Sequence, residues 1–345
     1  MNEFLVCVNC LTYNHSAYIR DAMNGFCMQQ TDFPFVCVIV DDASTDGNQD
    51  VIKAYLAEHF DLDDSTVVRN EETENYYLTF ARHKTNQNCH FAVHFLKENH
   101  FSIRKPKTAY FKEWYDKARY IAICEGDDYW TAPFKLQKQV DFLESHPDYS
   151  LIFHGVKQLI EETKEYKDWT EIENRDYSGN EIIKTWTIAT GSSLFRSVMY
   201  DKVPKNPKFQ YGDNILWLTC AIHGKLRGMK DVMGIYRRHK AGWTRRYDRT
   251  EMTLMQLNHF KAVSESFSIY PEFDSIKNAV NLQILGNSLH GFWREYQKGG
   301  ISTFYLSHYL RYMWSVDPIS LRFKHLYYFL KNFLYYSLKH IKLWP

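Results

Sequence analysis

A chain of 345 residues with 45% apolar side chains can bury a sizeable core, as one large domain or a domain with an appendage. Its 42 basic and 41 acidic residues leave a formal net charge of +1, so the overall balance gives no sign of nucleic acid as a partner. Seven scattered cysteines, an odd number, fit a reducing cytoplasm, and no uninterrupted apolar stretch is long enough to span a bilayer as a helix. In chain order, MNEFLVCVNCLTYN lacks a basic segment ahead of a long apolar core, so it reads as a first strand, Phe4–Cys10, rather than a signal peptide. Cys7 and Cys10 fall three apart on that strand and point to opposite faces, which argues for core positions over a redox pair or zinc half-site. Ser16 is placed to cap a helix whose apolar stripe is Ile19, Ala22, Met23 and Phe26. Phe35–Val40 reads as a strand buried on both faces, Ser44-Thr45-Asp46 as a helix start, and Val67-Val68 as another short strand. This alternation predicts a parallel α/β sheet. From Glu71 to Asp116 the pattern blurs, with one strand-like patch at Phe91–Leu96 that carries His90 and His94 at its edge and within it. Tyr120–Cys124 is a further buried strand, a helix opens at Pro133, His146-Pro147-Asp148 ends it, and Tyr149–Phe153 follows as a strand. After Asp248 long helical patterns dominate, through Leu254, Leu257, Phe260 and Val263, then Val280, Leu282, Leu285 and Leu289.

Ligands of open α/β sheets bind beyond the carboxyl ends of the strands. Three such ends carry polar clusters: Thr12-Tyr13-Asn14, Asp41-Asp42-Ala43-Ser44 and Glu125-Gly126-Asp127-Asp128. Helix capping accounts for one acid at a strand end, less readily for two at one end and three at another. Like charges about 4 Å apart repel by roughly 4 kcal/mol at an effective dielectric of 20, so converging carboxylates need a cation, a raised pKa or hydrogen-bond donors. A divalent ion arriving with a diphosphate meets that need. The chain has neither a G-x-x-x-x-G-K-[ST] loop nor a G-x-G-x-x-G after its first strand, which argues against P-loop and dinucleotide-binding sites.

The blocks TYNHSAYIRDAM, VIVDDASTDG and YIAICEGDDYW resemble, in order and separation, the signature blocks of family-two glycosyltransferases with the GT-A fold. EGDDYW followed by KLQKQVDFLESHPDYS is especially similar to a bacterial subgroup that builds surface polysaccharides. The resemblance implies a mostly parallel GT-A-like sheet flanked by helices, with a helical C-terminal extension. Its boundaries would be a catalytic domain at 1–247, divided into a nucleotide-sugar half at 1–153 and an acceptor half at 154–247, and a helical region at 248–345. It implies transfer from a nucleotide-diphosphate sugar, a UDP-sugar by expectation, with Mn²⁺ or Mg²⁺. Thr12, Tyr13 and Asn14 would line the donor site, with Tyr13 stacked on the base. Asp42 would accept the base's ring N–H, Asp127 would face the ribose or the metal, and Asp128 would be the chief metal ligand. The family's Asp-x-Asp-like motif often begins with Asp; Glu125 stands there, with a secondary role at the metal or donor sugar. Trp130 and Tyr129 would wall the sugar pocket or pack in the core.

For the second half, YGDNILWLTCAIHG resembles the family's acidic block at a helix start. Asp213 takes the position of the base for an inverting transfer, with a plain helix N-cap as the alternative. Gly212 stands where an acid is common. TGSSLFRS would bring Ser192 and Ser193 to sugar hydroxyls or to a turn, and YRRHKAGWT would bring Arg237, Arg238 and His239 to the diphosphate or form a solvated basic loop. From Pro318 to Pro345 there is no acid; basic residues mix with Leu, Phe, Tyr and Trp, as in helices that lie on anionic membranes or cover a core. The expected partners are thus a nucleotide-sugar donor, a glycan or lipid-linked acceptor and a membrane surface through 318–345, with no nucleic acid. The expected location is cytoplasmic, peripheral at the inner face of the plasma membrane. A catalytically silent nucleotide-sugar-binding or scaffold protein on the same fold is the alternative, and Glu125 and Gly212 are the departures that keep it open.

Overall fold

The computed structural model describes residues 3–242, 247–298, 300–317 and 319–340. Its strands are β1 (Phe4–Thr12), β2 (Phe35–Asp41), β3 (Arg69–Glu72), β4 (Tyr76–Arg82), β5 (Cys89–Leu96), β6 (Ala118–Ile123), β7 (Tyr129–Trp130), β8 (Tyr149–Ile160), β9 (Glu165–Asp168), β10 (Asp176–Tyr177), β11 (Leu194–Arg196) and β12 (Lys225–Arg238). The helices are α1 (Ile19–Cys27), α2 (Asn48–His59), α3 (Thr108–Tyr115), α4 (Lys135–Ser145), α5 (Gly179–Thr185), α6 (Met199–Lys202), α7 (Gly212–His223), α8 (Arg249–Phe267), α9 (Asp274–Gln297), α10 (Thr303–Met313) and α11 (Ile319–His340). The chain packs as two compact units. The described residues up to Tyr177, with Ile188–Lys202 and His223–His239, form the first; Ser178–Thr187, Val203–Ile222 and the described residues from Lys240 onward form the second.

The first unit is the expected GT-A-like α/β sheet, in the order β10-β12-β8-β11-β6-β1-β2-β5-β4-β3, with β7 on β12 and β9 on β8. Its centre, β6-β1-β2-β5, is parallel, and so is the β8–β12 pair; antiparallel pairs occupy the hairpins and the two sides of β11. Every residue of β2 is buried, as an almost unbroken apolar run requires of a strand covered on both faces. The predicted stripe of α1, Ile19, Ala22, Met23 and Phe26, packs in one cluster with Val6 and Val8 of β1, Tyr120 of β6 and Leu136, Val140 and Leu143 of α4. Each large apolar side chain so buried contributes about 1.5–3 kcal/mol. Cys7 and Cys10 are both buried and unbridged, as expected of core residues.

Three local expectations are corrected. Ser16 does not cap α1: the helix starts after Tyr18 without a side-chain cap, and the Ser16 N–H instead donates to Asp46 Oδ2 at 2.9 Å. Val67-Val68 is not a strand; β3 begins at Arg69 and is an exposed edge strand antiparallel to β4. The third member of the parallel centre on that side is therefore β5, and the blurred segment is the β3–β4–β5 meander, followed by α3. The strand predicted at Tyr149–Phe153 continues to Ile160.

In the second unit, Leu257, Phe260 and Val263 of α8 pack with Ile276, Ala279, Val280 and Ile284 of α9. Leu321, Leu326 and Phe329 of α11 pack against a small cluster of Leu285, Tyr309, Met313 and Val316. Trp243 and Thr244 of the YRRHKAGWT block, and Pro318 and 341–345 of the tail, lie outside the described residues.

Candidate functional site

Two polar corners stand at the carboxyl end of the parallel centre. At the first, Thr12 and Asp41 are register partners across β1 and β2. Asp41 is fully buried and held by three donors: its carboxylate accepts from the Ser44 N–H at 3.0 Å, Asn48 Nδ2 at 2.7 Å and Gln49 Nε2 at 2.7 Å. It serves the start of α2, the plain role open to it. Thr12 Oγ1 accepts from Asn48 Nδ2 at 3.1 Å. Asn14, at φ +56°, ties the two loops together: its N–H donates to Ser44 Oγ and its Oδ1 accepts the Thr45 N–H, both at 2.8 Å. Asp42 is also buried, and its carboxylate accepts from the His100 N–H at 2.7 Å, the Phe101 N–H at 3.1 Å and Lys107 Nζ at 2.9 Å. The side chain expected to read a base thus anchors the loop 99–107.

The second corner is the turn after β6. Gly126 is required there, because a Cβ would come within 2.6 Å of Thr12 Oγ1. The next residues form β7, which pairs antiparallel with β12, Trp130 opposite Gly234 and Tyr129 opposite Ile235. That register carries Arg237 and His239 alongside Asp128 and Asp127. Asp128 Oδ1 accepts the Arg237 N–H at 2.7 Å inside the protein. Burial, then the charge of Asp127, pushes the Asp128 carboxyl well above the usual carboxylate range, and the Arg237 N–H offsets this only in part. Asp127 differs. Its Oδ2 meets His239 Nε2 at 3.0 Å and His15 Nε2 at 3.7 Å. Burial pushes its pKa up, but the His239 hydrogen bond and the charges of His15 and His239 outweigh burial and hold it below the usual range. One ligand atom each from His15, Asp127 and His239 lies within 4.8 Å of the others, a spacing that fits a metal ion.

Arg237 is the keystone of this corner and not a free cation. Its guanidinium donates to Asp21 at 2.5 Å, Glu161 at 2.6 Å and the Asp127 carbonyl at 2.9 Å, and lies over the Tyr18 and Tyr129 rings. Arg238, its neighbour on the strand, is exposed and stands on the other face. The structure therefore brings Asp127 and His239 together, keeps Asp128 beside them on a backbone N–H, and leaves Arg238 outside the group. Glu125 is exposed, its carbonyl accepting the Asp128 N–H at 3.1 Å, and is not in the His–Asp–His group. Tyr13 is half-buried at the end of β1. Trp130 is core: its Nε1 donates to the Gly191 carbonyl at 2.7 Å, and the Lys135 ammonium sits 3.9 Å from its ring centroid. Burial pulls that ammonium's pKa down to about 7. Ser192 is fully buried and donates to the Ala189 carbonyl at 2.6 Å, and Ser193 donates to Thr190 at 3.0 Å, so both hydroxyls make the turn.

In the second unit, Asp213 sits in the first turn of α7, half-buried, its Oδ1 accepting the Asn214 N–H at 2.7 Å. The approach to it is fixed by buried His259: Nδ1 accepts the Gln210 N–H at 3.2 Å, so Nε2 carries the proton and donates to Asn214 Oδ1 at 3.0 Å. A Cβ at Gly212 would meet nothing within 4 Å, so space does not explain the missing acid.

His15, Lys107 and the Asp21–Glu161 pair escaped the sequence reading. His15 carried the one usable signal, since it directly follows a strand-end cluster. The others depend on the β7–β12 register and on the fold of the 99–107 loop.

Residues 9–90 match the family model "Glycosyl transferase family 2". Uncharacterized proteins Rv1520 of Mycobacterium tuberculosis (strain ATCC 25618 / H37Rv) and Mb1547 of Mycobacterium bovis are each 32% identical over 236 residues, which is 67% of this chain. The chain spans 58% of the length of these curated relatives. Among solved structures, S. aureus TarS 1-349 in complex with UDP shares the fold at a TM-score of 0.53 and 14% identity, over 84% of this chain and 72% of that one. The mannosyltransferase PcManGT from Pyrobaculum calidifontis, in complex with GDP-Man and Mn²⁺, does so at 0.52 and 15%, over 86% and 76%. The family match thus covers residues 9–90, and the two solved structures share the GT-A fold with the chain.

Proposed function

We propose that this chain is an inverting, metal-dependent glycosyltransferase. In this reading it moves a sugar from a nucleotide-diphosphate sugar, a UDP-sugar in the first instance, to a hydroxyl of a glycan or lipid-linked acceptor in the building of bacterial surface polysaccharide. The observation that carries the reading is the His15–Asp127–His239 group at the carboxyl end of a parallel sheet, in a chain whose residues 9–90 match family two. Its donor set suits a divalent ion, and two imidazoles favour Mn²⁺ over Mg²⁺, which prefers oxygen ligands. Bound there, the ion would supply positive charge to the departing diphosphate.

The protein's own groups have separate tasks. Asp127 brings the negative charge to the group, and Arg237 holds the Asp127 backbone while Asp128 holds Arg237. Tyr13 offers an aromatic face for the base. Three of the about four acceptor positions on the Asp42 carboxylate are taken by the 99–107 loop, which leaves one for the base's ring N–H. Asp213 is the proposed base, accepting the acceptor hydroxyl's proton as the new bond forms at the anomeric carbon.

Thermal shift with a panel of UDP- and GDP-sugars, with and without Mn²⁺, tests donor and metal together. Ligand at 100 times its Kd should add about 2.7 kcal/mol of stability. A panel without any Mn²⁺-dependent shift would sink the metal site. Asp213→Asn should keep the shift and stop transfer; normal turnover in that variant rules out the proposed base. A Mn²⁺-dependent shift with no turnover on any acceptor would favour the silent donor-binding protein, the reading that Glu125 and Gly212 invite.

A further inference from the structure

We propose that α11 is a second functional surface, an interfacial helix that lays an outward apolar stripe on an anionic lipid bilayer. The inference stands on the second unit alone and does not depend on the transfer reaction. Ile319, Phe323, Tyr327, Leu330 and Leu334 follow one another at spacings of three and four along the helix, so they form a single stripe. All of them are more than half exposed, from 56% at Leu330 to 64% at Phe323. The helix turns a different set inward: Leu321, Leu326 and Phe329 pack on the small α9–α10 cluster, and the Tyr309 hydroxyl donates to the His325 carbonyl at 3.0 Å. The outward stripe is therefore not a misplaced core face. A helix made only to cover a core would put polar residues there.

Charge selects the occupant. Exposed Lys324 and Lys331 border the stripe, and residues 318–345 contain no Asp or Glu. Arg322 is engaged at the helix start, on the Val316 carbonyl and Asp317. Pairing two copies through this stripe would bring lysine flanks together without a counter-charge. An anionic bilayer neutralises them, adding about 1 kcal/mol per lysine near the surface, while the apolar side chains enter the headgroup boundary. Tyr328 and Tyr335, both exposed, lie beyond the lysines, where amphipathic rings suit the interface. No helix among the described residues is long and apolar enough to cross a membrane, so the contact proposed is one of lying on the surface.

Flotation of the full chain with vesicles of phosphatidylglycerol and phosphatidylcholine, against phosphatidylcholine alone, tests this. The wild type should float with the anionic vesicles and remain largely at the bottom with neutral ones. Phe323→Gln/Leu330→Gln/Leu334→Gln should reduce anionic flotation at least about tenfold, and Lys324→Glu/Lys331→Glu should abolish the anionic preference. These side chains are mostly exposed, so thermal melts of both variants should match the wild type; this separates lost binding from lost folding. A wild type that never floats, or a folded stripe variant that floats as well as the wild type, overturns the proposal. So does a stripe-dependent dimer in sedimentation velocity that shows no affinity for vesicles: the occupant would then be a second copy.

Discussion

The acids ending β2 and the acids of the turn after β6 look alike in sequence, and the fold uses them in opposite ways. Asp41 and Asp42 are buried beneath donors of the protein itself: six hydrogen bonds from side chains and backbone converge on two carboxylates. At the second corner Asp128 is treated similarly, on the Arg237 N–H, while Asp127 faces two imidazole nitrogens. Those nitrogens are themselves metal ligands when neutral. An acid at a strand end is thus a candidate metal ligand only where the protein has not already supplied its donors, or has supplied donors that can turn into co-ligands.

The contrast can be broken in several places. The largest effect should come from Arg237→Ala. It strips the guanidinium from partly buried Glu161 and from Asp21, and should cost about 3–5 kcal/mol in urea unfolding, as loss of one partner from a buried ion pair does. A loss below about 1 kcal/mol, the range of a surface pair, would remove Arg237 as keystone. Next is Asp127→Asn. Residues merely supporting a metal ligand cost about 10–100-fold in affinity when replaced, so losing the anionic ligand should weaken Mn²⁺ binding by at least about 100-fold in calorimetric titration. Asp42→Asn should leave Mn²⁺ affinity unchanged; equal losses in the two variants would erase the distinction between the corners.

Acid should act next, through the first corner's neighbourhood. Burial lowers the pKa of His94, on β5 beside β2, from 6.5 to about 4. Its folded pKa lies below its unfolded one, so its contribution is intact above pH 6.5 and is lost as pH falls toward 4. The slope is about 1.4 kcal/mol per pH unit. Buried His154 and His259, each held near 3 by burial, act in the same direction and extend the loss to lower pH. His94→Phe should flatten the stability profile between pH 6 and 4, and an unchanged profile would contradict the assignment. The smallest effect should be local. Lys107→Ala leaves two backbone donors on Asp42 and should loosen 99–107 by about 1.5–3 kcal/mol at most, read as faster amide exchange confined to that loop.

What was legible follows from how each signal is encoded. β1, β2 and β6 announce themselves because strands covered on both faces must be apolar throughout, and α1, α4, α8 and α9 because one face must be. In the meander β5 was legible as the patch at Phe91–Leu96, but β3, Arg-Asn-Glu-Glu, stayed illegible because it is an exposed edge with no apolar side chain to show a period. Ser16 misled because a good capping residue was used to tie one loop to another. For the site, the strand-end position picked out Asp127, His239 came with the family resemblance, and Asp213 was located at a helix start. In the linear sequence Asp128 reads as the chief metal ligand with Asp127 beside it, and how the fold treats each of them is not visible there. Which of two adjacent carboxylates is claimed by the Arg237 N–H depends on β7 pairing with β12, a register that local pattern does not encode.

The same register has a consequence for biosynthesis. Arg237 reaches Asp21 across 216 positions, and His239 reaches Asp127 across 112. As the ribosome extends the chain, the parallel centre can assemble once β6 has emerged, but the second corner waits for the end of β12 and His239. Contacts of such separation close late, after loop entropy has been overcome. A nascent or prematurely terminated chain ending before β12 therefore carries the parallel centre of the sheet without His239 or the arginine clamp. Under the proposed metal site, capture of the ion would report that the first unit is finished.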